Sequence, residues 1–230
     1  MGHEEAPLDK SFWMARWREG AIGFHQESIN GELVRWWPSL DVPAGGRVLV
    51  PLCGKSSDMI WLREQGHSVL GVELSAVACQ AFFDDNNIAY ERTSISGYER
   101  WRAVDDGPDL EIMNGDFFAL KKEQVPKLSA VYDRASMIAL PPALRLRHAQ
   151  QLAMLLATGA SGLLIHIWYP QEQKSGPPFS VDPEMIVELL GEHFELNQLA
   201  LHDLMEDPKM ATRWPLSSLE RAVVRLRRGP

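Results

Sequence analysis

Residues 47–75 read RVLVPLCGKSSDMIWLREQGHSVLGVELS. The opening run, Arg47–Leu52, is continuously apolar, as a strand covered on both faces requires. A glycine-containing turn follows, then a helical stretch over Ser56–Gln65 that Gly66 breaks, then a second apolar strand, Ser68–Glu73, ending in an acid. This order is the βαβ unit of a parallel α/β domain, which binds ligands at the carboxyl edge of its sheet. Gly54 lets the backbone come close to a ligand, and the helix start presents free N–H groups. Glu73, at the end of the second strand, is placed to accept two hydrogen bonds from a ribose diol.

Three nucleoside cofactors compete for that geometry. An NAD-type dinucleotide requires GxGxxG, but Leu52 and Ser56 stand where its glycines would give a pyrophosphate room. A Walker-type loop requires a glycine where this chain has Leu49, so Gly54-Lys55-Ser56 is only a partial match. S-adenosylmethionine has no pyrophosphate and needs only a close backbone approach and an acid for the diol, so it fits with the fewest violations. An ordinary βαβ turn with a chance glutamate is the structural alternative.

Outward from this unit the chain alternates strands and helices. Ala76–Asp84 reads as a helix, Tyr90–Ile95 as a third strand, and Leu110–Met113 as a weaker strand. Ala130–Asp133 is a strand, a helix spans Leu144–Ala157 after Pro141-Pro142, and Gly162–Trp168 is the next central strand. The Gly/Pro loop Tyr169–Phe179 has the length of an active-site wall or lid. Asp182 caps a helix through Leu190. Glu195–His202 and Glu220–Arg227, joined by a connection too short for a crossover helix, suggest an antiparallel edge hairpin. The first forty residues carry Phe12, Trp13, Trp17, Phe24, Trp36 and Trp37. Asp9 or Ser11 can cap a helix whose Trp13 and Trp17 share a face and which Gly20 stops, and a second helix runs from Asn30 to Trp37. One domain over 1–230 is expected, with 1–44 an aromatic-rich appendage covering the active site and 45–230 the core.

Composition narrows the partners. The 230 residues carry a formal net charge of −8, and the one short basic run, Arg225–Arg228, indicates no nucleic-acid surface. No segment has the ~20 uninterrupted apolar residues of a membrane span. The start, MGHEEAPLDK, shows no secretory h-region, so a cytoplasmic location is expected. Cys53 and Cys79 form no metal-ligand pattern, and both read as structural thiols. A small-molecule partner and no metal are expected.

Six motifs then occur in one order: FWMARW…GFHQ, VPLCGKSSDM, GVELS, YDRASMIALP, GPPF and a late Arg213-Trp214. From about Phe12 to Arg227 this resembles the thiopurine S-methyltransferase family. The resemblance implies a class I S-adenosylmethionine methyltransferase fold, Rossmann-like, with a seven-stranded mostly parallel sheet, helices on both faces, an antiparallel strand near one edge and an N-terminal helical lid. It implies that Trp13 and Trp17 wall the cofactor, that Leu52 and Gly54 contact it from the first turn and that Glu73 holds its ribose. Asp116 and Phe117 match the pair flanking the adenine. Arg134 lies near the methionine end and the acceptor, Phe24 is the acceptor-facing aromatic, and Arg213 is the basic residue over the acceptor. The family also suggests a monomer.

The chain departs from the wider methyltransferase pattern, which has an acid near Val50 and glycines near Leu52 and Ser56; the bulkier turn with Pro51 supports the narrower family. The residues alone also admit plainer readings. Trp13 and Trp17 can be core anchors, Phe24 a staple for the appendage, Asp133 an Asx turn, Arg213 a surface cation, His25 a loop histidine and His166 a satisfied core histidine. The reading is S-methylation of small aromatic thiols, with S-adenosylhomocysteine as by-product. The alternatives are methylation of small inorganic anions (selenium or tellurium species, halide, thiocyanate) on the same fold, and a non-catalytic cofactor-binding protein.

Overall fold

The structure, a computed structural model, describes residues 10–230. Its elements are α1 (Lys10–Arg18), α2 (Gly31–Trp36), β1 (Arg47–Pro51), α3 (Asp58–Glu64), β2 (Ser68–Glu73), α4 (Ala76–Asp85), β3 (Tyr90–Ile95), β4 (Tyr98–Ala103), β5 (Leu110–Asn114), β6 (Leu128–Arg134), α5 (Ser136–Ala139), α6 (Pro142–Leu155), β7 (Leu156–Trp168), α7 (Pro183–Leu190), β8 (Phe194–Asp203), α8 (Pro208–Arg213) and β9 (Glu220–Arg228).

One nine-stranded sheet runs in the order β3-β4-β5-β2-β1-β6-β7-β9-β8. Strands β5, β2, β1, β6 and β7 are parallel, whereas β9 is antiparallel to both β7 and β8. These seven are the expected arrangement. Strand β1 lies between β2 and β6, so the chain leaves it toward one edge and returns on its other side. That reversal opens a crevice at the carboxyl ends of β1 and β6.

Side-chain alternation sorts the helices. On one face of β1, Leu49 joins the cluster of Leu152 from α6 and Ile186 and Leu190 from α7. On the other, Val48 and Val50 pack with Leu33 of α2, Met59 and Leu62 of α3, and Phe82 and Phe83 of α4. Because both faces are covered, the central strands are apolar throughout rather than alternating.

Two additional strands come from a hairpin. Tyr90–Ile95 is a strand, as the sequence suggests, but it pairs antiparallel with β4 and exposes most of its length at the sheet edge. Ser96 and Gly97 both take positive φ, the requirement of a two-residue type I′ turn. Leu110–Asn114, weak by pattern, is the buried third parallel strand.

Helix boundaries follow local caps. Asn30 accepts from the Glu32 N–H, Ser75 from Ala78 and Asp182 from Met185, opening α2, α4 and α7. Helix α1 ends with Gly20 N–H on Trp17 O and Ala21 N–H on Arg16 O, the paired bonds of a Schellman stop. Ser11 lies inside the first turn of α1 and is not its cap, and Asp9 lies outside the described residues. Helix α3 starts at Asp58 rather than Ser56, because Ser56 N–H is spent on Cys53 O in the turn. The β8–β9 connection is longer than a hairpin turn and carries α8 without crossing the sheet. Among the described residues no helix is long and apolar enough to cross a membrane, and no group of three or more His, Cys, Asp or Glu could hold a metal ion.

Candidate active site

The carboxyl ends of β1, β2 and β5 are stitched into one unit. The Glu73 carboxylate accepts from Gly54 N–H at 2.9 Å and from Ser75 N–H at 2.8 Å, so one side chain joins the first turn to the second. Asn114 Nδ2 donates to Glu73 O and Leu74 O, and Gly115 N–H also bonds Glu73 O. Burial pushes the Glu73 carboxyl above its ordinary range, while the N–H groups of Ser75 and Gly54 pull it back.

Leu52 sits in this turn at φ 46°, a left-handed conformation that costs a branched residue roughly 1–3 kcal/mol. It occupies a position where the wider pattern has glycine, and the backbone keeps the glycine-like geometry. Gly54 is needed twice over: its φ is 53°, and a Cβ there would lie 2.9 Å from the Trp17 ring. Trp17 is buried against this bare backbone, which brings α1 onto the first turn. Cys53 and Cys79 are both buried thiols, and burial raises each above its ordinary pKa, which makes them inert.

At the end of β5, Asp116 caps a helical turn through Phe118 N–H at 3.0 Å and takes Lys10 Nζ of α1 at 2.7 Å. The Phe117 ring is buried and packs 5.3 Å from the ring of His148, so any ligand contact from Phe117 comes from its backbone. His148 Nε2 lies 2.7 Å from Asp133 Oδ2, both side chains fully buried. Asp133 is thus the partner of an α6 histidine and not an Asx turn.

The other side of the crevice is built from distant segments. Arg134 donates through Nε to Asp58 Oδ2 at 3.1 Å and through Nη2 to Ser56 Oγ at 3.4 Å. The Phe24 ring stands edge-on to Trp13 and Trp17, 5.6 Å from each, and is 43% exposed. Arg213 reaches from α8 to donate to Gly23 O at 2.9 Å. His25 is held below its ordinary pKa first by burial and then by the charges of Lys55 and Arg134, so it is neutral at pH 7. The sequence singles out Phe24, Arg134 and Arg213; it does not single out Asp58, Ser56 and Tyr132, which the fold gathers at Arg134, or Lys10, which pairs with Asp116.

The 169–179 loop is bonded to the rest of the fold along its length. Tyr169 N–H bonds Ser180 Oγ at 3.0 Å, and Phe179 N–H bonds Ile138 O. Gln173 and Ser217 exchange two bonds at 2.8 Å, and Lys174 Nζ lies 5.0 Å from the Trp214 ring centre, so the loop supports the connection that carries Arg213. His166 is buried with Nδ1 on Val181 O at 2.8 Å, while Nε2 has no partner among the described residues; it is half-satisfied.

The residues present suit S-adenosylmethionine. Both Glu73 oxygens accept backbone N–H groups, and a carboxylate offers about four acceptor sites, which leaves capacity for a diol. The branched Leu52 leaves no glycine-lined groove for a pyrophosphate. A mostly parallel sheet with this reversal and this acid defines a class I S-adenosylmethionine-dependent methyltransferase. A methyltransferase of Anabaena variabilis described as SAM-dependent superposes with a TM-score of 0.65 at 13% identity, covering 99% of each chain, which shows the fold. A sequence profile of the family "Thiopurine S-methyltransferase (TPMT)" matches residues 8–229, and the chain belongs to that family. Thiopurine S-methyltransferase of Nitrosospira multiformis is 44% identical over 207 residues, 90% of this chain and 92% of its own length. That of Bordetella pertussis is 44% identical over 222 residues, 96% and 99%.

Proposed function

We propose that this enzyme methylates the sulfur of small aromatic or heterocyclic thiols of the thiopurine kind. The observation that carries the reading is the Arg213–Gly23 bond next to Phe24, which brings a cation and a part-exposed aromatic ring together beside Trp13 and Trp17. When bound, S-adenosylmethionine supplies a sulfonium-activated methyl for in-line transfer to the acceptor, leaving S-adenosylhomocysteine.

Glu73 holds the ribose, Leu52 and Gly54 present close backbone, and Trp13 and Trp17 cover the cofactor and exclude water. Asp116 flanks the adenine with its carboxylate and Phe117 with its backbone N–H. Arg134 and Arg213 favour the anionic acceptor, and Phe24 supplies an apolar slot for a flat ring. A thiol conjugated to a heteroaromatic ring ionises readily, so no dedicated base is assigned. The chain is read as one domain, a 45–230 core with a 1–44 appendage; the bonds from Asn30 to Asp58 and from Glu32 to Arg221 support this. A cytoplasmic monomer acting on small molecules, with no nucleic-acid partner, completes the reading, and the two free thiols suit a reducing compartment.

The test is kcat/KM over a panel of acceptors, scored by mass spectrometry. Aromatic thiols are expected to exceed selenite, tellurite, halide and thiocyanate, and Phe24→Ala to lower only the aromatic values. A preference for the small anions that survives Phe24→Ala would replace this reading with the inorganic-anion alternative.

A further inference from the structure

We infer that Asp58 is a positioning residue that fixes Arg134 at the acceptor side and ties it to the seating of the N-terminal segment. An acid in the first turn of a helix is ordinarily a solvated partner for the helix dipole. This one is 2% exposed and touches three other parts of the chain. Its Oδ1 accepts the Asn30 N–H at 2.8 Å, and its Oδ2 accepts Tyr132 OH at 2.9 Å and Arg134 Nε at 3.1 Å. Its own N–H donates to Ser56 Oγ, which also receives Arg134 Nη2.

The two oxygens therefore do different work. Oδ1 holds backbone: Asn30 is the residue that caps α2, and the chain immediately before it carries Gly23 and Phe24. Oδ2 holds side chains from β6. A buried carboxylate without a counter-charge is costly, so the guanidinium is drawn inward by Nε and one Nη2 hydrogen. A guanidinium has five N–H donors; Asp58 and Ser56 take one each, Tyr132 lies beside it, and the donors not turned inward meet an acceptor in one orientation. The same carboxylate thus sets the direction of Arg134 and the anchorage of the segment bearing the aromatic slot. Tyr132, held by burial and the Asp58 charge well above its ordinary pKa, keeps its proton and stays a donor.

This inference rests on the acceptor role proposed for Arg134, and a double-mutant cycle separates the two. kcat/KM for an aromatic thiol and the cofactor Kd by calorimetry are measured for the full chain, Asp58→Asn, Arg134→Ala and the double variant. Asp58→Asn is expected to lower kcat/KM about 10- to 100-fold, as sub-ångström misplacement does, with cofactor Kd changed less than about threefold. In the Arg134→Ala background the same change is expected to cost no more than about twofold, since groups that act through one another are not additive. Multiplying effects, or an unchanged kcat/KM in Asp58→Asn, would overturn the inference while leaving Arg134 in place. An unchanged kcat/KM in Arg134→Ala would overturn the Arg134 assignment and this inference with it.

If Asp58→Asn does not fold, Ser56→Ala in the same cycle loosens Arg134 from its other side; about a two- to fivefold loss that vanishes beside Arg134→Ala supports the inference, and additivity sinks it. The link to the N-terminal segment has its own readout. Amide hydrogen exchange over residues 19–30 is expected to quicken in Asp58→Ala but not in Asp58→Asn, whose amide oxygen can keep the Asn30 N–H. Equal exchange in Asp58→Ala and the parent chain would remove that part of the claim.

Discussion

The sides of the crevice proposed for the cofactor and for the acceptor are built in opposite ways. The centre of the cofactor side comes from contiguous sequence: Leu52, Gly54 and Glu73 belong to one βαβ unit whose two turns a single carboxylate welds, with Trp17 and Asp116 added at its margins. The acceptor side joins Gly23 to Arg213, 190 residues apart, and Arg134 to Asp58, 76 apart. A site made locally is rigid and specifies a cofactor shared by many enzymes. A site made from remote segments can change its acceptor without touching the cofactor machinery, which is how one fold hosts many chemistries.

Substitutions on the two sides should therefore separate cofactor affinity from acceptor kinetics. The largest effect is expected from Glu73→Ala, which removes the proposed diol acceptor and orphans two N–H groups: cofactor Kd should rise about 100-fold and the thermal midpoint fall. Gly54→Ala follows, because its Cβ meets Trp17 and its φ is positive; about a tenfold weaker cofactor Kd is expected by calorimetry. Arg213→Ala should raise the acceptor KM about five- to tenfold with cofactor Kd unchanged, and an equal loss in both would dissolve the distinction drawn here. Smallest is Lys10→Ala, whose exposed pair with Asp116 is worth at most about twofold in cofactor Kd.

The raised Glu73 carboxyl adds a pH signature confined to the cofactor side. Its ionised form is the one that binds, so cofactor affinity should begin to fall at a higher pH than an ordinary glutamate would cause. Stability should move the other way. A carboxyl raised on folding binds more protons in the native state, so the stability attached to it is greatest at low pH and declines as pH rises through the folded value. Opposite slopes in titration calorimetry and thermal unfolding, both absent in Glu73→Ala, are the expected pair.

The same asymmetry explains what the sequence made legible. Strands β1 and β2, their turn and Glu73 could be read because their relations are short-range and periodic. The 96–97 hairpin escaped because β3 is charged and mostly exposed and β4 buries only Tyr98 and Trp101, three apart, so neither shows apolar alternation, although Ser-Gly is itself a turn signal. Asp133 looked like a turn residue because His148 is reached only through the fold. Asp58 looked like a helix-start acid because Asn30, Tyr132 and Arg134 are 28, 74 and 76 residues away. The residues proposed for the acceptor come from family resemblance and not from local physics, since nothing near Arg213 in sequence tells that it meets Gly23.

The central claim is that both sides cooperate in moving a methyl onto sulfur. A single-turnover reaction, with enzyme in excess over S-adenosylmethionine carrying an isotopically labelled methyl and an aromatic thiol as acceptor, tests it most directly. Label recovered as the aryl methyl thioether, matched mole for mole by S-adenosylhomocysteine and lost in the Arg134→Ala Arg213→Ala double variant, is the predicted result. Tight cofactor binding with the label still on S-adenosylmethionine would contradict it and leave a cofactor-binding protein without catalysis.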